Sequence, residues 1–173
     1  MNVRAVVIGV TLAASLAAGG TAAASGSNHT KWKIVPVNAL PTGIVVGDLG
    51  HVCDTGGQCV YSQTETNVIQ TGDFQGSTVQ ADTTSVGSDP LLTSLSSGTF
   101  TGSVTGCGNG AFLYTGRGSF DTTTGSTDET YVILAGSGSG DLTGISGVLH
   151  QHGTAADTTA PPLIGVVRCA VRR

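Results

Sequence analysis

The chain reads as an all-β protein, and three features of its sequence say so. After residue 24 almost no stretch carries helical patterning. Short runs rich in Val, Ile, Thr, Tyr and Phe follow one another instead, each bounded by Gly, Asp, Asn or Pro, as strands are bounded by turns. Among them sit 27 glycines, which cost conformational entropy in a strand and therefore call for a reason.

The runs cover residues 31–38, 43–47, 59–70, 76–84, 99–106, 111–122, 130–135, 141–154 and 164–171. About eight or nine short strands in one chain of this length make a sandwich or a barrel. The segment DPLLTSLSSG, residues 89–98, is the exception: Asp89 as cap and Pro90 at the first position predict a short helical turn. TAADTTAPP, residues 154–162, reads as the last long loop before a closing strand.

The first residues stand apart from the fold. MNVR gives a positive start, AVVIGVTLAASLAAGG an apolar run of 16 residues, and Ala22 and Ala24 a small-residue cleavage site. A spanning helix needs roughly 20 predominantly apolar residues, so residues 1–24 are expected to be an export signal and not an anchor. That leaves 25–173 as a single secreted, extracellular domain, loose over residues 25–30 and with no membrane span. Its four cysteines, Cys53, Cys59, Cys107 and Cys169, then meet oxidising conditions, and two disulfides are expected. Three pairings are open. Loop-closure entropy favours Cys53 with Cys59 across the short DTGGQ loop, which leaves Cys107 with Cys169. The four spacings match no usual zinc site.

The net charge is −4, and the only lysines are Lys31 and Lys33. No basic stripe is present to neutralise phosphates, which argues against nucleic acid as a partner.

Three segments share the form Gly-x-apolar-x-Gly: GDFQG at 72–76, GTFTG at 98–102 and GDLTG at 140–144. In a strand the two glycines and the central Phe74, Phe100 or Leu142 face one side. Each large side chain then has empty space beside it, as the concave face of a strongly coiled sheet requires, and this favours a barrel.

With these motifs in place, residues 64–154 resemble the allene oxide cyclase barrel superfamily, which includes the dirigent proteins, and its uncharacterised bacterial members above all. The resemblance rests on Gly108–Phe112, Gly116–Phe120, the hairpin GSGSGDLTGISG at 136–147 and the earlier strand TGDFQGSTV. It implies a closed antiparallel eight-stranded barrel whose lumen is a shaped apolar cup, working without a metal or organic cofactor. No catalytic residues carry over. A small apolar molecule in the lumen is the expected partner, with a cofactor-free cyclase or isomerase acting on a polyene or epoxide as the alternative. Association into oligomers is left open.

Alternation in NGAFLYTGRGSFD places Phe112, Tyr114, Gly116, Gly118 and Phe120 on one face, the better lumen candidate, with Tyr114 able to bond a ligand oxygen. Glu65 is the candidate lumen carboxylate. Asp128 and Glu129 are expected in solvent, and Arg117 to pair with Asp121 or Asp128 on the surface. His150 and His152 share a strand face, a metal-compatible arrangement without an evident third ligand, so no metal site is assigned. Trp32 is expected to anchor the N-terminal segment.

Overall fold

Alternation decides the architecture. In residues 108–121 every second side chain is buried, from Phe112 through Tyr114, Gly116 and Gly118, while Leu113, Thr115 and Arg117 between them are exposed. Such a strand needs a covered face and a wet face, and a sheet that closes on itself supplies both. In the computed structural model, which describes residues 31–154 and 161–170 (the backbone alone at 42–45, 70 and 71), eight strands close into an antiparallel ring in chain order. They are β1 (Trp32–Cys53), β2 (Cys59–Gly72), β3 (Phe74–Val86), β4 (Leu91–Val104), β5 (Gly108–Asp121), β6 (Ser126–Ile133), β7 (Ser146–Thr154) and β8 (Leu163–Ala170). The expected export signal, the 25–30 segment and most of the loop before β8 lie outside the described residues.

The ring closes through β1. Its first part, from Trp32 to Ala39, pairs with β8, and the rest, from Ala39 to Cys53, pairs with β2. The two runs 31–38 and 43–47 are thus one long strand. Register shifts at Leu40 and Pro41 lie where it passes from one partner to the other, and a third at Gly50 lies within its pairing with β2.

Residues 91–98 are strand, not a helical turn. Asp89 does cap, but in a hairpin turn, where its Oδ1 accepts the Leu91 N–H at 2.9 Å. Beyond it the alternation of exposed Leu91, Thr93 and Leu95 with half-buried Leu92, Ser94 and Ser96 has period two. The Asp89 cap thus belongs to a turn, and the period of the residues after it is that of a strand.

The glycine repeat splits the same way. Gly76, Gly102 and Gly110 lie opposite one another across β3, β4 and β5. A Cβ on Gly76 would stand 2.2 Å from the Thr101 carbonyl oxygen, so this row allows the backbones to approach as only glycine permits. Beside it Phe74 and Phe100 point inward. The third copy is not strand: Gly140–Leu142 is a 3-10 turn, and β7 begins only at Ser146.

The glycine-rich stretch 136–147 therefore bends no wall. It runs back along β5, with Ser139 N–H bonding the Ala111 carbonyl at 2.8 Å, and turns to bury Leu142 and Ile145 completely. A Cβ on Gly138 would stand 1.9 Å from the Leu142 carbonyl oxygen, which is why the turn is so rich in glycine. Trp32 lies against Gly144 and under the Arg168 guanidinium, 4.5 Å from its ring centre, so it does tie the first strand to this end.

Both disulfides form as loop closure favours. Cys53–Cys59 staples the exposed end of the β1–β2 hairpin, and Cys107–Cys169, nearly inaccessible to solvent, ties the β4–β5 turn to β8. Among the described residues no helix is long and apolar enough to cross a membrane. Outside the ring, Val132, Val148 and Val166 lie directly opposite one another on β6, β7 and β8, an apolar row.

Candidate functional site

Cross-strand pairing stacks the inward side chains in layers. The lowest is aromatic: Phe100 stacks on Phe112 with ring centres 4.9 Å apart, and Phe74 meets Phe100 edge-on at 5.4 Å. Behind it Val104, Leu142, Ile145, Val167 and the Cys107–Cys169 bridge complete a dry core. The next layer runs across Glu65, Gln80, Gly98, Tyr114 and Ile133. Above it come Gln63, Asp82, Ser96, Gly116, Tyr131 and Leu149, and then Thr84, Ser94, Gly118, Glu129, Gln151 and Leu163.

The upper layers are not filled. A cavity of about 410 Å³ rises from the aromatic floor towards the end carrying the β3–β4 and β5–β6 turns, where Leu92, Phe120 and Thr127 are half-buried. That volume lies within the ~300–1,000 Å³ of small-molecule sites. Phe112, Tyr114, Phe120 and Glu65, the four lumen candidates from the sequence, all line it. So do Gln63, Gln80, Asp82, Glu129 and Tyr131, which sequence reasoning did not bring together.

Glycine in β5 makes their room. A Cβ on Gly116 would stand 2.8 Å from the Tyr131 ring, and one on Gly118 would stand 2.7 Å from Cγ of Glu129. Gly98 does the same for Tyr114, whose hydroxyl would be 2.6 Å from a Cβ there. The TGRG motif is thus a gap in the wall into which the phenol and carboxylate of β6 lean.

One amide organises the polar layer. The Gln80 Nε2 group donates to Glu65 Oε2 at 3.2 Å and to Asp82 Oδ1 and Oδ2 at 3.1 and 3.2 Å, while its Oε1 accepts the Tyr114 hydroxyl at 2.6 Å. Gln63 donates to Glu65 Oε1 at 2.8 Å. On the opposite wall the Tyr131 hydroxyl donates to Glu129. The Tyr114 and Tyr131 rings meet edge-on at 5.8 Å.

Burial, and then the charge of Glu65, raises the Asp82 carboxyl to about 6 against the opposing pull of the Gln80 amide. Burial likewise raises Glu129, with Glu65 adding to it and the Tyr131 hydrogen bond opposing. The Tyr114 phenol goes up to about 12, mainly by burial, and Tyr131 goes well above its ordinary value, by burial and the adjacent Glu129. At neutral pH both phenols keep their protons and act as donors.

Asp82 gives a pH prediction whose sign is fixed. Its folded value lies above the 3.8 of a free side chain. The folded state therefore holds the proton more tightly, and stability falls as pH rises from about 4 to about 6. Above that window the cost is about 1–3 kcal/mol, the lower end applying because the carboxyl borders an open cavity. Asp82→Asn removes the titration. Urea unfolding should find the variant more stable than the parent at about pH 7.5 and level with it near pH 4; a variant equally destabilised at both would overturn the assignment.

Other sequence expectations fall outside the cavity. Glu129 is inside, while its neighbour Asp128 is outside, 3.6 Å from His152 across β6 and β7. Strand alternation separates adjacent residues, so the pair does not share one solvated fate. Arg117 is exposed, but no ion pair with Asp121 or Asp128 forms among the described residues: Asp121 Oδ1 accepts the Thr123 and Thr124 N–H groups instead. His150 and His152 do share one exposed outer face, His150 beside the Thr130 hydroxyl at 3.1 Å. No group of three His, Cys, Asp or Glu side chains among the described residues is arranged to hold a metal ion.

Fold and site together define a class: an antiparallel eight-stranded ring, disulfide-bonded, with an aromatic-floored and acid-walled cavity. No family model matches the chain, and no curated protein does. Among solved structures it is similar to a protein of unknown function from the DUF3224 family of Shewanella oneidensis MR-1, with a TM-score of 0.59 and 14% identity over 82% of this chain and 100% of that one. At that identity the likeness is one of fold.

Proposed function

We propose that this is a secreted ligand-binding barrel, of the allene oxide cyclase and dirigent kind, which holds a small molecule with an apolar body in its lumen. The cavity of about 410 Å³ above an aromatic floor carries this reading. A barrel built only for rigidity fills its interior with side chains. Here the room beside glycines 98, 116 and 118 is taken by Tyr114, Tyr131 and Glu129, which line the cavity without filling it, and the polar groups stand in the three layers above the floor. That combination, mostly apolar with a few placed polar groups, is the usual form of a small-molecule site. The expected export signal and the two disulfides support an extracellular setting.

Native mass spectrometry of the exported, unreduced protein tests this. The expected result is a chain four hydrogens lighter than its all-thiol form, carrying a small molecule or retaining one from an added mixture of aromatic and lipid compounds. A chain that arrives empty and retains none of them would overturn the reading.

A cofactor-free isomerase or cyclase is the second reading, and the Asp82–Glu65 pair favours it. Two carboxyl groups share one amide donor, and the one that is more buried titrates at about 6. Such a pair sets two carboxyl groups of different burial beside one bound molecule, the arrangement that general acid–base chemistry uses. Asp82 would give a proton to one atom of a bound polyene or epoxide and Glu65 would take one from another, so that substrate and product are isomers. Chromatography of the compound released from the protein separates the readings: a catalyst releases an isomer of what it was given, and a carrier releases the compound unchanged.

A further inference from the structure

We propose that the cavity is built for an organic cation: an amine whose apolar body lies on the Phe floor and whose nitrogen sits among Glu65, Asp82 and Glu129. This rests on the lumen-binding reading and specifies its ligand.

The argument begins with charge. None of the residues lining the cavity is Lys, Arg or His. Three are acids, and they come from both sides of the ring: Glu65 and Asp82 from β2 and β3, Glu129 from β6. Their hydrogen-bond donors among the described residues are neutral, the amides of Gln63 and Gln80 and the hydroxyl of Tyr131. Asp82 is 7% exposed, and among the described residues it has no cationic partner. A buried charge without a counter-charge is costly, and proteins ordinarily pair it. Here the counter-charge is what the empty space admits.

Shape then narrows the cation. The acids are not grouped to hold a metal ion. They surround a space large enough for an organic molecule, closed below by the stacked Phe100 and Phe112 rings. Tyr114 stands in the layer of Glu65 and Tyr131 in that of Asp82, so aromatic rings line the cavity beside the acids. An anionic ligand would bring its negative charge against these three acids, so a carboxylate is selected against where an amine is selected for.

The test uses three probes sharing one apolar body: naphthylmethylamine, naphthylmethanol and naphthoic acid. Each is titrated into the disulfide-bonded protein by calorimetry near neutral pH. The amine should bind at least about tenfold more tightly than the alcohol, a difference of about 1.4 kcal/mol, and the acid should not bind. In Glu129→Gln the ratio of amine to alcohol affinity should shrink towards one, a readout independent of any general loss of stability. Equal binding of amine and alcohol, or preference for the acid, would overturn the charge assignment and leave lumen binding standing. Failure of all three to bind would overturn both.

Discussion

Phe100→Ala is expected to destabilise the protein by about 3–5 kcal/mol, as Phe truncations in well-packed cores do. Phe100 is 1% exposed and touches both other rings of the floor, stacked on Phe112 and edge-on to Phe74. Burying such a side chain is worth about 1.5–3 kcal/mol by area, and the lost ring pairs and the cavity left behind add to it. Relaxation would be poor. On one side Gly76 and Gly102 are already in backbone contact with the neighbouring strand. On the other the ring borders the cavity, which would extend downwards instead of collapsing. Urea unfolding should show the midpoint shifted strongly with the slope unchanged. A loss below about 1 kcal/mol would mean that the floor is not packed as described. The same variant should weaken any lumen ligand, because the floor and the core share this residue.

The double role of the floor explains what the sequence made legible. Strand content, the ring and both disulfides could be read because each leaves a local signature: period two, glycine beside Phe, and cysteines bracketing a short loop. The inward set of β5 was equally plain, since Phe112, Tyr114 and Phe120 are large and fall on one parity. The other half of the site was not, and the reason is physical. In β3 the inward residues are Thr78, Gln80 and Asp82, while Val79 and Ala81 face solvent, with Val79 57% exposed. A strand that turns its polar side chains into a cavity reverses the usual pattern, so a rule of apolar inside points to the wrong face. In β6 the run DETYVI sends Asp128 out and Glu129 in, and reading the two as one acidic patch hid the second. The signal that was present is parity: Glu129 shares it with Tyr131 and Ile133, which are plainly core-facing types. The stretch 136–147 does join the antiparallel pair β6 and β7, but the strand expected from residue 141 begins only at Ser146, for another reason. Glycine spacing identifies close approach but not what approaches: Gly138 meets the segment's own 3-10 turn, Gly140 the backbone of β5 and Gly144 the Trp32 ring.

The second large effect is expected from the Cys107–Cys169 bridge. Its cysteines are 62 residues apart, against 6 for Cys53–Cys59. On the chain-entropy account, closing the longer loop is worth about 4 kcal/mol and the shorter about 2. The shorter bridge should yield even less in practice. Its hairpin is already closed by Asp54, whose Oδ1 accepts the Gly56 and Gln58 N–H groups at 2.8 and 2.9 Å, so the turn supplies much of the same constraint. Access runs the same way: Cys107 and Cys169 are 4% and 1% exposed, whereas Cys53 is on the surface. Two consequences follow. Mild reductant should open Cys53–Cys59 first with little change in unfolding midpoint, whereas Cys107→Ser with Cys169→Ser should cost several kcal/mol, including the contacts the bridge makes with the buried Val104 and Val167 region. The comparison is made by urea unfolding of the two double variants side by side. If removing the exposed bridge proves the more damaging, the β1–β2 hairpin and not the plugged lower end is what holds the ring closed. The cavity then opens and closes with that hairpin, and ligand retention should fall when the exposed bridge is reduced.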